Sequence, residues 1–299
     1  MMELPRTETG RHDLDVAVLG WLDVGRDGHS VVPSAAKPRT VLAVLAARTG
    51  RTVPVRALLE ELWGEEPPGS AVTTLQTYVL QIRGLIAELP GLAGHRGEAK
   101  QVLRHEPGGY RLRTGAGLID VDEFERRAIA GREAAAAHDH ATASERFRDA
   151  LRSWRGTALV DVEQGPLLSA ETTRLEALRL EALSSWLEAD LRLGRHQQRV
   201  ADLAGLSAQH PTNERIHALY MLALLDCGRR DRALEVYRRL RRTLKHELGA
   251  EPSLACRRVH RLVLAPPLDI GEECALHREA LDELAAAPGV AGADHARAP

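Results

Sequence analysis

Cysteine occurs three times in 299 residues, an odd number with no C-x-x-C pair among Cys227, Cys256 and Cys274. That argues against a disulfide framework and against a thiolate zinc site. Lysine is as scarce: Lys37, Lys100 and Lys245 stand alone, and every other basic side chain is arginine. Codon bias in a G+C-rich genome explains the imbalance, and guanidinium's fit to phosphate and guanine is its chemical consequence. No run of 18 apolar residues occurs, and the opening MMELPRTETG has no apolar segment. Neither a membrane span nor a secretory signal is therefore expected, and the expected location is the cytoplasm. The motifs G-x-x-x-x-G-K-[ST], G-x-S-x-G and H-E-x-x-H are all missing, so no catalytic residue or cofactor is expected. His138-Asp139-His140 are adjacent rather than spaced as ligands, and read as a solvated turn, leaving no metal site.

What is present is enough length for two domains with separate cores. The formal net charge of −2 says nothing alone about nucleic acid. Charge is uneven along the chain, however. Residues 37–113 hold eleven Lys and Arg against seven Asp and Glu, and the remainder is correspondingly acidic.

Residues 14–19, 21–24 and 30–32 read as short strands separated by turns at Gly20, Gly25 and Gly28. Residues 37–47 read as a helix with Pro38 in its first turn, where the missing N–H costs nothing. A second helix follows Pro54 and spans Val55 to Trp63. After the loop Glu65-Glu66-Pro67-Pro68-Gly69, Ser70 is a candidate N-cap for a third helix over residues 70–89. In that helix Leu75, Val79, Ile82, Ile86 and Leu89 recur every three or four residues and form the buried stripe. Thr73, Thr74, Gln76, Thr77, Leu80, Gln81 and Arg83 lie off it. Residues 90–97 read as a glycine-rich loop, and QVLRHEPGGYRLR (101–113) reads as a hairpin. Pro107-Gly108 supplies its type II turn. A helix with one polar face, followed by a basic two-stranded wing, is a layout that grips duplex DNA. The helix fills the major groove and the wing lies over phosphates or enters the minor groove.

From about residue 120 the chain is rich in alanine, leucine, arginine and glutamate with helical periodicity. Gly194-Arg195 and Gly228-Arg229 stand 34 residues apart, each before an apolar-periodic helix. A 34-residue period belongs to tetratricopeptide-like helix pairs. The unit at 137–156 echoes it, offset by an insertion at 157–165. The basic run Arg238, Arg239, Arg241, Arg242 and Lys245 reads as the solvated face of a helix. A short helix over 272–284 and then a disordered end are expected in the tail.

With these stretches in view, the chain resembles the Streptomyces antibiotic regulatory protein family. The resemblance rests on RALLEELWGEEPP (56–68), TTLQTYVLQIR (73–83) and PGGYRL (107–112). It continues through IDVDEFE (119–125), ALRSWRGTALVDV (150–162), TTRLEALRLEAL (172–183), EADLRLGRH (188–196) and RALEVYRRLRRTLKHELGAEPS (232–253). It implies an α+β winged helix–turn–helix domain of OmpR type over residues 14–115, after a flexible leader at 1–13. An all-α, tetratricopeptide-like bacterial transcriptional activation domain follows over 119–265, with a tail at 266–299. The function implied is a sequence-specific transcriptional activator of an antibiotic or other secondary-metabolite gene cluster. Its partners would be double-stranded promoter DNA carrying tandem direct repeats and RNA polymerase with its sigma factor. A homodimer on DNA is expected, with no membrane role.

Carried across residue by residue, Thr73, Tyr78 and Arg83 are the helix positions for phosphate or base contact, with Thr77 and Gln81 beside them. Arg111 is the minor-groove candidate of the wing, and Arg104 and His105 are secondary. Glu65 and Glu66 would face basic surfaces of the polymerase. The family pattern is usually polar or basic at the positions of Leu80, Gln81 and Gly84. Here Arg83 stands nearly alone, so few counterions are released and affinity per subunit should be modest. The alternative from another class is a helical-repeat interaction scaffold with a degenerate DNA-binding domain.

Overall fold

The structure, a computed structural model, describes residues 13–90, 96–265 and 270–286. The leader to residue 12, residues 91–95 of the expected loop and the tail end from residue 287, read above as disordered, lie outside the described residues. Strands β1 (Asp15–Ala17), β2 (Asp23–Arg26) and β3 (His29–Ser30) form an antiparallel sheet in that order. Val16 faces Val24 across it, and both are buried with Leu14 and Leu19. Helix α1 (Ala36–Ala47), β4 (Val53–Pro54), α2 (Val55–Trp63) and α3 (Ala71–Ile86) follow. Every residue of α1 from Thr40 to Ala46 is buried, the pattern of a central helix with no solvent face. In α3 the buried residues are Ala71, Leu75, Val79, Ile82 and Ile86, the stripe expected from the spacing.

The wing belongs to a second antiparallel sheet, ordered β4–β6–β5, with β5 (Leu103–Glu106) and β6 (Gly109–Leu112). Gly108 takes φ +81°, the positive value a type II turn requires at that position. Gly109 is required for another reason. It pairs with Pro54, and a Cβ there would stand 2.1 Å from the Val53 carbonyl oxygen.

Two local expectations are corrected. A short helix, α4 (Arg96–Val102), takes Gln101 and Val102 away from the wing, whose first strand begins at Leu103. Ala99 and Val102, three apart and buried, give that turn an inward side that packs against α3. Ser70 begins α3, but its hydroxyl makes no capping bond. Its backbone sits at φ −90°, ψ 5°, outside the extended region a capping residue uses. The chain enters through a turn in which Ala71 N–H donates to the Pro68 carbonyl at 2.8 Å.

The helical part comprises α5 (Asp120–Ala136), α6 (His140–Leu151), α7 (Pro166–Arg192), α8 (His196–Gln209), α9 (Glu214–Asp226), α10 (Arg230–Glu247), α11 (Leu254–Leu264) and α12 (Ile270–Ala286). It confirms the expected α+β winged domain followed by tetratricopeptide-like helices. The turn before α6 is held by Asp139, whose carboxylate accepts the Thr142 N–H at 3.0 Å. The described residues form two compact units, one within residues 13–127 and 149–179, the other within 128–148 and 180–286.

In the first unit, segment 157–168 is a strap bonded to the winged domain. Asp161 accepts the Leu22 N–H at 2.7 Å, and the Thr40 hydroxyl donates to the Glu163 carbonyl at 3.0 Å. Glu61, buried on α2, accepts the amides of Gly165, Leu167 and Leu168 at 2.8, 2.7 and 3.2 Å. It thereby caps the N-terminus of α7 with a carboxylate, the sign the helix dipole favours. Asp120 accepts the Val18 and Leu19 amides at 2.9 Å each. Burial pushes its carboxyl above the usual range, and those amides oppose the rise.

In the second unit α9 packs against α8, α10 and α11. The core gathers Leu187, Leu191, Leu203, Leu219, Leu222, Leu240, Leu244 and Val259. Gly194 and Gly228 take φ +75° and +69° just before α8 and α10, the structural counterpart of the 34-residue echo. Buried Asp190 is satisfied by Ser144 at 2.6 Å, Arg195 at 2.7 Å and Arg199 at 2.6 Å. Burial alone would raise its carboxyl, but those donors hold it below the usual range.

Candidate nucleic-acid interface

Helix α3 turns one stripe away from the core. Thr73, Gln76, Thr77, Leu80, Gln81 and Gly84 are all exposed, at the three- and four-residue steps of a single helix face. No residue of that stripe carries a charge. Leu80 sits mid-stripe with 61% of its surface exposed, an apolar group among hydrogen-bonding neighbours. The Thr77 hydroxyl donates back to the Thr73 carbonyl at 3.1 Å, which leaves its oxygen free to accept. These groups suit base edges: glutamine amides match adenine, threonine hydroxyls a donor or an acceptor edge, and leucine a thymine methyl. Gln76 was absent from the residues expected as contacts. Its position one turn before Leu80 was the signal for it.

Arg83 has a different position. Its Nε and Nη2 both donate to the Leu103 carbonyl, at 2.9 and 2.8 Å. The side chain is a strut from α3 to the first strand of the wing. Burial draws its pKa down, with the Tyr110 hydroxyl acting the other way. Tyr78 also lies off the stripe, half-buried and stacked on Trp63 with ring centroids 6.5 Å apart and planes 19° apart. Lys37 Nζ stands 4.7 Å from the centre of the same indole and donates to the Leu62 carbonyl at 3.3 Å. This cluster ties the start of α1 and the end of α2 to the middle of α3. The loop that follows Trp63 is exposed, Glu65 and Glu66 included.

The wing has two faces. Leu103 pairs with Leu112 and His105 with Tyr110, and the His105 ring packs on that tyrosine at 5.2 Å. On the opposite face Arg104 pairs directly with Arg111. The nearest carboxylate to Arg104 is Glu106, at a loose 3.9 Å. Arg111 keeps a buried Nε with no hydrogen-bond partner. Two like charges placed opposite one another weaken a sheet, and an anion laid between them reverses the sign of that effect. The structure thus brings Thr73, Thr77 and Gln81 together on the helix, and Arg104 and Arg111 together on the wing. Tyr78 and Arg83 serve packing or bracing contacts, and His105 is exposed with its ring against Tyr110.

No helix among the described residues is long and apolar enough to cross a membrane. Among the described residues no group of three or more His, Cys, Asp or Glu side chains is arranged to hold a metal ion.

Comparison with known proteins extends this picture. Residues 119–264 match the family model of the bacterial transcriptional activator domain. The chain is 46% identical to regulatory protein DnrI of Streptomyces peucetius over 84% of its own length and 92% of that relative. It is 36% identical to regulatory protein AfsR of Streptomyces coelicolor over 87% of its length, spanning 25% of AfsR. The solved structure of Mycobacterium tuberculosis EmbR in complex with a low affinity phosphopeptide shares 32% identity and a TM-score of 0.77. That match covers 91% of this chain and 69% of the other.

Proposed function

The chain belongs to the Streptomyces antibiotic regulatory protein family, and from that membership we propose that it activates promoters of an antibiotic or other secondary-metabolite gene cluster. It is a transcriptional regulator, and the proposal concerns how it reaches its promoter. The winged domain, residues 14–115, binds duplex DNA with α3 in the major groove and the wing along an adjacent phosphate run. The observation that carries this reading is the neutral hydrogen-bonding stripe of α3 beside the Arg104–Arg111 pair of the wing. Phosphate contacts position a protein on the duplex, while base contacts choose the sequence.

Two subunits occupy adjacent direct repeats, since one subunit offers few cations for counterion release. The helical domain, residues 119–265, contributes to self-association and to contact with RNA polymerase. Glu65 and Glu66 in the loop before α3 meet basic surfaces of the sigma factor. The work is recruitment in the cytoplasm, with no catalysed reaction. About 2–3 kcal/mol of added contact raises promoter occupancy by roughly thirty- to 150-fold. Binding of purified protein to its neighbouring intergenic DNA, followed by fluorescence anisotropy, tests the proposal. Nanomolar to micromolar binding that prefers that fragment over scrambled DNA supports it.

A second reading has one observation in its favour, the lack of any charge on the exposed stripe of α3. Under it the chain is an interaction scaffold with a degenerate winged domain, and the same titration would show no binding at any salt concentration.

A further inference from the structure

Helix α12 (Ile270–Ala286), the last among the described residues, lies beyond residue 264, where the activator-domain match stops. In a stacked helix-pair array each new helix packs on its predecessor, and alternate helices line one face. In this unit α9 packs with α11, and the last turn of α7 joins the same core through Leu187 and Leu191. Helix α12 lies on this set. It packs against α9 and α11, Asp282 pairs with Arg192 of α7 at 2.7 Å, and His277 pairs with Asp226 of α9 at 2.5 Å. Glu283 pairs with Arg258 of α11. It is thus seated across the alternate helices α7, α9 and α11.

Its sequence suits that seat. His277, Ala280, Leu281 and Leu284 are buried, at steps i, i+3, i+4 and i+7, the anchor pattern of a helix in a groove. Glu279 and Asp282 are exposed and Glu283 half-buried, so the flanks are acidic and the rim they meet holds Arg192, Arg258 and Arg261. An open surface groove of about 390 Å³ runs between α11 and α12, lined by Arg258, Arg261, Leu262, Leu276, Glu279 and Ala280 among others. Among the described side chains of α12 the buried apolar anchors are Ala280, Leu281 and Leu284, which join the core with residues of α9 and α11.

We infer that the face formed by α7, α9 and α11 is a docking groove for an acidic amphipathic helix of a partner protein, and that α12 is its intramolecular stand-in. The partner helix carries apolar residues at i, i+3 or i+4 and i+7 with Asp or Glu on both sides, and binding it requires α12 to leave. A helix that occupies the groove within the same chain acts at high effective concentration and sets the affinity a partner must exceed.

Two measurements on the full chain test this. In native-state hydrogen exchange the amides of α12 should exchange at least a hundredfold faster than those of α9, because α12 opens alone. Exchange of both helices together would make α12 an integral part of the core and overturn the inference. In the second, Asp282→Lys with Glu283→Lys weakens the intramolecular contact, and a labelled peptide of residues 270–286 is titrated into variant and parent. The peptide should bind the variant at least tenfold more tightly than the parent, and a scrambled peptide should bind neither. Failure of the native peptide to bind the variant, equal binding to both proteins, or binding of the scrambled peptide contradicts it.

Discussion

The exposed stripe of α3 and the Arg104–Arg111 face of the wing are neighbours with different chemistry. The helix offers Thr73, Gln76, Thr77, Leu80 and Gln81 without a charge, and the wing sets Arg104 directly against Arg111. Arg83 stands between them and joins them by two bonds to the Leu103 carbonyl. Under the proposed function, that difference divides sequence choice from electrostatic grip. A neutral helix can discriminate bases, but it needs a cationic neighbour to hold the duplex. The salt response should therefore belong to the wing and the base preference to the helix.

Five variants sharpen or break that division. Glu61→Ala removes the acceptor for three amides at the start of α7 and should destabilise the first unit by about 3 kcal/mol. Chemical denaturation should register the loss. At temperatures where the variant stays folded, neither base preference nor salt response should change. Arg83→Ala leaves the buried Leu103 carbonyl without its donors, a loss of about 2 kcal/mol in stability with a weaker grip by the misplaced wing. Arg83→Lys keeps the charge but not the fork, so it should not restore the melting temperature. If it does, the strut is merely a charge.

Alanine at both Arg104 and Arg111 should lower affinity for promoter DNA roughly tenfold at physiological salt, with no loss of stability. An unchanged dissociation constant would remove the wing from the interface. Gln81→Ala should have the smallest effect, about 1 kcal/mol of lost discrimination against substituted operators. Competition binding with single-base variants measures it, and a uniform loss across all sequences would mean that Gln81 touches backbone.

Much of this was legible in the chain itself. The buried stripe of α3 follows from apolar spacing, the wing turn from Pro107-Gly108, and the helix pairs from the echo of Gly194 and Gly228. These are local patterns, and local patterns survive into the fold. What escaped was tertiary. Nothing near Arg83 in the sequence signals a carbonyl twenty residues away, so it read as a free DNA contact. The stretch 157–165 looked like an insertion between repeats because its partners, Leu22, Thr40 and Glu61, lie more than a hundred residues earlier. Helix α4 was hidden because its seven residues hold only two inward positions, Ala99 and Val102. Ser70 matched a capping residue by type, and a turn through Pro68 displaced it from that role.

The most direct test of the divided interface is the slope of log affinity against log salt for the parent, the Arg104→Ala/Arg111→Ala protein and the Gln81→Ala protein. The parent slope should fall by about 2 in the arginine variant and stay unchanged in the glutamine variant. Equal slopes in all three proteins, or no salt dependence in the parent, would contradict the account.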